Sequence, residues 1–455
     1  MADTRDSIDF GRTGIPRLFT RLFIPTLLGL VSGAALSVAD GIFVGRGVGS
    51  DAIAAVNIAA PLFMVTTGMG LLFGTGVSIV AAVHLSRGNL KAANINLTQA
   101  FTVSIALMMA VCAVIFAFPL HTVRLFGGSG RLVPLALEYM LWLLPSMVGM
   151  MVMFIGMFAI RLDGSPRFAM LCQAVPSVLN ILLDYVFIFP LGMGIKGAAI
   201  ATSLAQAAGA VMVAAYFATS AKTLGFYRPK FTLTSVRLTA RNIGYMARLG
   251  MPGFIGETAM ALMMVAGNYM FAGRLGEDGV AAFSVACYLF PIVFMVGSAI
   301  SQAALPIVSY NHGTGDRGRI RTTFRLSVGL AFVCGVAMAL GGVFFSGDIA
   351  GVFLGESTTA YALVVEGLPY YSLCIPAFSL NLVLIGYYQS IERPGPSMAF
   401  MLLRGYVLVL PCFMLLPHLA GDRGLWLAIP LSETATLAAV AAYMSICCRR
   451  GRAHA

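Results

Sequence analysis

GIFVGRGVGSDAIAAV (41–56) and YMFAGRLGEDGVAAF (269–283) are one motif written twice: an apolar helix end, a Gly-Arg pair, a turn holding glycine and an acid, and a second apolar start. Around it the two halves of the chain keep matching at an offset of about 227. FIPTLLGL with Pro25 meets GMPGFIGE with Pro252, Phe126 meets Phe353, Pro190 meets Pro417 and Gly197 meets Gly424. Self-similarity at a fixed offset marks a duplicated structural unit. In a membrane protein, the number of crossings between equivalent positions decides how the two copies are related.

Composition shows that the unit is a membrane one. Of 455 residues 59% are hydrophobic and 10% charged, and the mean hydropathy is +0.89, all outside the range of a soluble globular chain. Apolar runs long enough to span fall at roughly 22–44, 52–82, 97–119, 132–160, 168–190, 196–219, 245–272, 280–308, 326–346, 358–389, 397–418 and 424–447, twelve in all. Each run is uninterrupted rather than alternating, and a lone spanning segment satisfies its amides only as a helix, so barrel strands are excluded. Six runs separate equivalents, and an even number sends both copies across in the same direction. The fold expected is an all-α integral membrane protein of twelve transmembrane helices, in two six-helix bundles related by a pseudo-two-fold axis along the membrane normal. The bundles are residues 1–219 and 246–455, and 220–245, rich in Lys and Arg, is a cytoplasmic linker.

The net charge of +11 is then an orientation signal. Of the Lys and Arg residues, 23 fall on the side that holds both termini: four near the N-terminus, Arg87 and Lys91, Arg161 and Arg167, six from 222 to 248, four from 317 to 325, Arg393 and Arg404, and three at the C-terminus. Six fall on the other side, namely Arg46, Arg124, Arg131, Lys196, Arg274 and Arg423. The positive-inside rule places both termini in the cytoplasm and the protein in the inner (cytoplasmic) membrane. Charges scattered over seven short segments do not form a nucleic-acid footprint, so no nucleic-acid partner is expected. The polar start MADTRDSIDFGR lacks the apolar core of a secretory leader.

Six acids lie inside the runs: Asp40, Glu138, Asp184, Glu257, Glu366 and Glu433. A charge at the centre of a bilayer costs about 2.5 to 3.5 kcal/mol on insertion scales, so each should face a cavity or a partner. Asp40 lies near the outer end of an outward-running helix, Asp184 is six residues before Pro190 on another, and Thr202 is six after Lys196 on one returning inward. At about 1.5 Å per residue the three share one layer, and Asn180 sits one turn below Asp184 on the same face. Two carboxylates, an amide and a hydroxyl in one layer bind a proton or a small hard cation such as Na⁺. Simple interhelical hydrogen bonding is the competing reading. The second half has Asn268 and Pro411 where the first has Asp40 and Asp184, so the duplicated copy lacks the carboxylates. Glu138 and Glu366 read as interfacial.

LSVADGIFVGRGVGSDAIAAVNIAAPLF (36–63) and NILLDYVFIFPLGMGIKGAAIATSLAQ (180–206) resemble the first-helix and the fifth-to-sixth-helix signatures of the multidrug and toxic compound extrusion (MATE) family. Members often carry Val-Asp where this chain has Ala39-Asp40, and Leu-Asp-Pro where it has Leu183-Asp184-Tyr185, so a kinking proline is missing beside Asp184. The resemblance implies Asp40, Asn180, Asp184 and Thr202 as the ion-coupling set. It also implies a secondary multidrug efflux antiporter, no enzyme, that exports organic, mostly cationic and amphipathic compounds in exchange for H⁺ or Na⁺ by alternating access. No cofactor beyond the coupling ion is expected, and the protein is expected to act as a monomer in the lipid bilayer.

The remaining features fit a transporter. GMGIKG (192–197) and GTGDRG (313–318) match GxGxxG but follow no strand, and no Gly-Lys pair exists for a phosphate-binding loop. His84, His121, His312, His418 and His454 fall in loops or tails. Cys447 and Cys448 read as helix-end thiols, with acylation the alternative. Methionines crowd spans four (Met147, Met150, Met151, Met153, Met157) and seven (Met260, Met263, Met264), and flexible thioethers suit either a core or a permissive cavity. Glu257, Glu433, Gln206, Met260, Met264 and Tyr371 are the candidates for a substrate cavity. Pro25, about 22 Å along its helix from Asp40, is a candidate hinge, or else the start of that helix. A lipid-linked oligosaccharide or lipid flippase of the same wider superfamily is the alternative function. An intramembrane aspartyl protease using Asp40 and Asp184 is a second, although VADG and LLDY lack the GxGD and YD contexts of such enzymes.

Overall fold

The computed structural model describes residues 8–126, 132–228, 232–353, 356 and 358–453; Arg131 and His454 lie outside the described residues. Helices follow one another as Ile15–Gly47 (α1), Ser50–Ser86 (α2), Leu90–Ala117 (α3), Pro119–Leu125 (α4), Leu132–Leu162 (α5), Pro166–Ile188 (α6) and Gly194–Thr219 (α7). Then come Leu233–Gly276 (α8), Asp278–Thr314 (α9) and Arg317–Phe344 (α10). Ser346–Phe353 (α11), Thr359–Ser372 (α12), Cys374–Ser390 (α13), Pro394–Ala420 (α14) and Asp422–Ala453 (α15) complete the described chain. No strand occurs among the described residues. Eleven of the described helices are long and apolar enough to cross a bilayer, and α12 with α13 makes a twelfth crossing bent by 40°. The apolar run 358–389 reads as one span, and the structure adds a bend within it. Pro376 has no amide to give the Ser372 carbonyl, and the chain closes a tighter turn there, Leu373 N to Tyr370 O at 3.2 Å.

The repeated motif owes its turns to glycine. Gly49 between α1 and α2 stands at φ 117°, and its counterpart Gly276 between α8 and α9 at φ 65° with ψ −155°, a conformation that residues with a Cβ avoid. At the starts of α3 and α8 side chains satisfy one free amide each: Asn89 accepts from Ala92 N at 3.1 Å, and Thr232 from Ser235 N at 3.2 Å.

Among the described residues of the linker, 220–228 are non-helical, and from Leu233 the chain runs on as α8 with Leu233, Val236, Ala240 and Ile243 along one face. The non-helical part is pinned down by Asp163, which accepts from Lys222 N, Thr223 N, Thr223 Oγ1, Leu224 N and Tyr216 Oη at 2.7 to 3.1 Å.

The chain forms two compact units, residues 1–254 with 309–317, and residues 255–308 with 318–455. In the first, α2 packs on α5, α5 on α7, α1 on α6 and α6 on α7. Lipid offers no hydrophobic drive for helices to meet, so close backbone approach has to supply the contact. Gly149 and Gly156 on α5 provide it: a Cβ on Gly149 would stand 2.9 Å from the Gln206 carbonyl, and one on Gly156 would strike Val213. The span-four methionines Met147, Met151, Met153 and Met157 are buried in this packing, so they are core. In the second unit an aromatic cluster does the same work, with Phe271 stacked on Phe283 at 4.7 Å and edge-on to Trp426 at 4.9 Å.

Candidate functional site

Within the first unit the α1–α6 packing sets Asp40 and Asp184 against each other as hydrogen-bonding neighbours. Asp184 is fully buried, and Asn180, one turn earlier on α6, donates from Nδ2 to Asp184 Oδ2 at 3.1 Å. The spacing of four residues that places both on one helix face is what makes this bond. Asp40 Oδ1 and Asp184 Oδ1 are buried and have no hydrogen-bond partner. Two carboxyl groups in contact need a proton or a cation between them, and two orphaned carboxylate oxygens are the ligands a small cation takes. Thr202 is buried on α7, but its hydroxyl donates to the Ala198 carbonyl at 3.1 Å, leaving only its lone pairs to face a ligand. No cluster of three or more His, Cys, Asp or Glu residues suited to a transition metal occurs among the described residues.

Tyr139 on α5 joins the site unforeseen. It is fully buried and lies close enough to feel the charge of both Asp40 and Asp184. Its only sequence signal is a hydroxyl one residue after Glu138 in an apolar run, and nothing in span lengths says which way it turns. Glu138 itself is exposed, and Glu366 pairs with Arg423 on the surface at 3.3 Å.

The second unit carries a different polar cluster. The charge distribution assigns Arg404 to a cytoplasmic loop; the structure instead buries it near the middle of α14, where its Nε donates to Glu433 Oε1 at 2.6 Å. Asn381 Nδ2 donates to Glu433 Oε2 at 2.8 Å and to the Glu433 carbonyl at 2.9 Å, and the Arg404 guanidinium lies 4.1 Å from the centre of the Phe378 ring. Pairing explains the position, since an arginine at this depth must be neutralised. α14 adapts with a π-turn at Leu403–Val407, where Pro411 has no amide for the Val407 carbonyl. Beside the pair lies a cavity of about 20 Å³, room for roughly one water-sized occupant, lined by Met260, Met263, Arg404, Ser432 and Glu433 among others.

The six residues proposed for a substrate cavity do not gather there as a set. Glu433 and Met260 line this cavity, Met264 is exposed, and Tyr371 is buried with its hydroxyl unpartnered. Glu257 is half-buried and does not line the cavity, and Gln206 belongs to the first unit, with its Oε1 buried and unpartnered. Pro25 lies inside α1, ten residues after its start, so it does not begin the helix. Its missing amide leaves the Arg21 carbonyl without a helical donor, and Thr26 Oγ1 bonds the next carbonyl, Leu22 O, at 2.7 Å.

The MatE family model matches residues 25–186 and 252–414, two segments that open on the prolines paired in the repeat. The chain is 24% identical over 430 residues to an FAD transporter of Shewanella oneidensis, with 92% of each chain covered. It is 23% identical over 459 residues to the multidrug export protein MepA of Staphylococcus aureus, covering 97% of this chain and 96% of that one. A solved structure described as the outward-facing conformation of a multidrug resistance MATE family transporter of the MOP superfamily superposes with a TM-score of 0.88, at 22% identity over 96% of both chains.

Proposed function

The chain belongs to the MatE family of multi-pass membrane transporters, and from that premise we propose that it is a secondary antiporter that exports small organic cations in exchange for H⁺ or Na⁺. Membership in a transporter family sets the protease reading aside. The observation that carries the proposal is the pair of touching carboxyl groups, Asp40 and Asp184, with two buried oxygens left without a partner. A structural pair would be satisfied within the bundle, whereas a coupling site must keep open valences for the ion it trades. Asn180 and Thr202 complete the set, and Tyr139 borders it. On this reading the repeats 1–219 and 246–455 joined by 220–245 form a monomeric transporter with both termini in the cytoplasm.

The direct test uses inverted membrane vesicles suspended in a fluorescent organic cation. Imposed separately, a proton gradient or a sodium gradient should drive accumulation several-fold above the level without a gradient. Accumulation unchanged under both would sink the antiport reading.

A second reading has its own observation. It is that a relative 24% identical over 430 residues is an FAD transporter, which points to an anionic, flat-ringed cargo instead of an organic cation. Flavin released into the medium by cells that overproduce the protein, compared with cells that lack it, separates this reading from organic-cation export.

Coupling also needs a moving part. We take Pro25 as the point where α1 bends when the Asp40 layer gains or loses its ion, because the ladder is already open at Arg21 and shared at Leu22. Pro25→Ala closes that opening. It should slow turnover several-fold and leave the half-saturating substrate concentration within about twofold. Transport at the wild-type rate would remove the hinge and leave the ion site standing.

A further inference from the structure

A groove of about 580 Å³ lies in the first unit between α3 on one side and Tyr227, Arg228 and the first turns of α8 on the other, and it serves no step of the proposed antiport. Ile95 and Val103 wall it on one side, and Val236, Ala240 and Ile243 on the other. Lys91 and Arg228 line it on either side of Tyr227, both exposed and neither paired with a carboxylate among the described residues; Lys91 Nζ lies 5.8 Å above the Tyr227 ring.

Two polar side chains in the wall already have partners. Gln99 donates to Thr239 Oγ1 at 2.9 Å and accepts from Asn242 Nδ2 at 3.0 Å. Thr98 donates to the Asn94 carbonyl at 2.9 Å and accepts from Tyr227 N at 2.8 Å. What remains open to a ligand is a largely apolar wall with the hydroxyls of Thr102 and Ser235 and the two cations Lys91 and Arg228. The groove is also preformed: Asp163 pins the linker at 222–224, and Gly225 N holds it to Asn94 Oδ1 at 2.9 Å.

Depth identifies the occupant. The apolar run of α3 begins near residue 97, so Lys91 stands about 9 Å outside the hydrocarbon, at the headgroup level, and Val103 about 9 Å inside it. The groove therefore runs from the headgroup level into the cytoplasmic leaflet, beside the linker. Arg237 and Arg241 on the adjoining turns of α8 are exposed and add to the positive field.

We propose that this groove binds a membrane phospholipid with an anionic headgroup, its phosphate between Lys91 and Arg228 and one acyl chain along the apolar wall. Two uncompensated cations near an anionic surface, at about a kilocalorie each, correspond to a preference on the order of thirtyfold for a net-anionic over a zwitterionic lipid.

The test is lipid retention by the full-length protein, released from nanodiscs of phosphatidylcholine containing phosphatidylglycerol and weighed by native mass spectrometry. The wild type should retain phosphatidylglycerol over phosphatidylcholine by about thirtyfold after correction for abundance. Lys91→Gln with Arg228→Gln should bind the two equally. These are surface side chains outside the groove's hydrogen bonds, so the result does not hinge on a variant that fails to fold. Ala240→Trp, which fills the groove, should lose the retained lipid. No preference in the wild type, a preference kept by the double variant, or lipid kept at full stoichiometry by Ala240→Trp would each overturn the proposal. Displacement of the lipid by millimolar glycerol phosphate would overturn it too, since it would make the site one for soluble phosphate.

Discussion

Asp40→Asn and Asp184→Asn should each reduce gradient-driven efflux to the level of vesicles without the protein, while the variant still inserts and unfolds at a temperature close to that of the wild type. The expected loss is large because of what coupling has to accomplish. Moving a two-state protein from mostly one state to mostly the other takes about 10⁴-fold differential affinity, or about 5.5 kcal/mol, and only a ligand that distinguishes the states can supply it. Asparagine keeps the shape of the carboxyl group and most of its hydrogen bonding but cannot release a proton or offer a charged oxygen to Na⁺. The remaining carboxyl loses the neighbour with which it shares the ion, so Asp40→Asn with Asp184→Asn should be no worse than either alone. Asn180→Ala, which removes the donor 3.1 Å from Asp184 Oδ2, should weaken coupling rather than abolish it. The measurement is dye accumulation in inverted vesicles at matched protein levels. Transport retained by both aspartate variants would place the coupling site elsewhere.

The second large effect is on stability. Glu433→Ala should destabilise the protein by about 3 to 5 kcal/mol, because it leaves the Arg404 guanidinium buried, off-surface and uncompensated, and takes from Asn381 one of its two acceptors. Arg404→Met with Glu433→Leu removes both charges and should recover most of that loss, since a buried pair contributes little against an apolar replacement of similar volume. Thermal unfolding in detergent, followed for Glu433→Ala and for the double variant, reads the difference. A Glu433→Ala protein as stable as the wild type would show that Arg404 finds another partner.

Span number and the duplication were legible in the residues because in a bilayer they depend on local quantities alone, the length of an apolar run and its satisfaction as helix. The Asp40, Asn180 and Asp184 neighbourhood was legible for a related reason. Straight helices of known rise and alternating direction put depth on a common scale, and depth shows which charges can meet. Rotation about each helix axis is on no such scale. The sequence therefore named Asp184 but not Tyr139, which the packing of α5 against α6 brings within reach of the charge of the same carboxyls. It placed Glu433 in a span but sent Arg404 to a loop, although both lay within apolar runs, because a sum of charges by segment ignores which buried cation has a buried partner. The break at Leu373 and the helical second half of the linker belong to the same class. The first depends on one amide missing at Pro376, the second on Gln99 and α3 offering 233–243 a surface to pack on. Length, hydropathy and repeat were properties of the chain by itself; the facing of side chains, and so the contents of each polar cluster, waited on tertiary packing, where helices meet through a few glycines and side-chain bonds whose direction no single segment encodes.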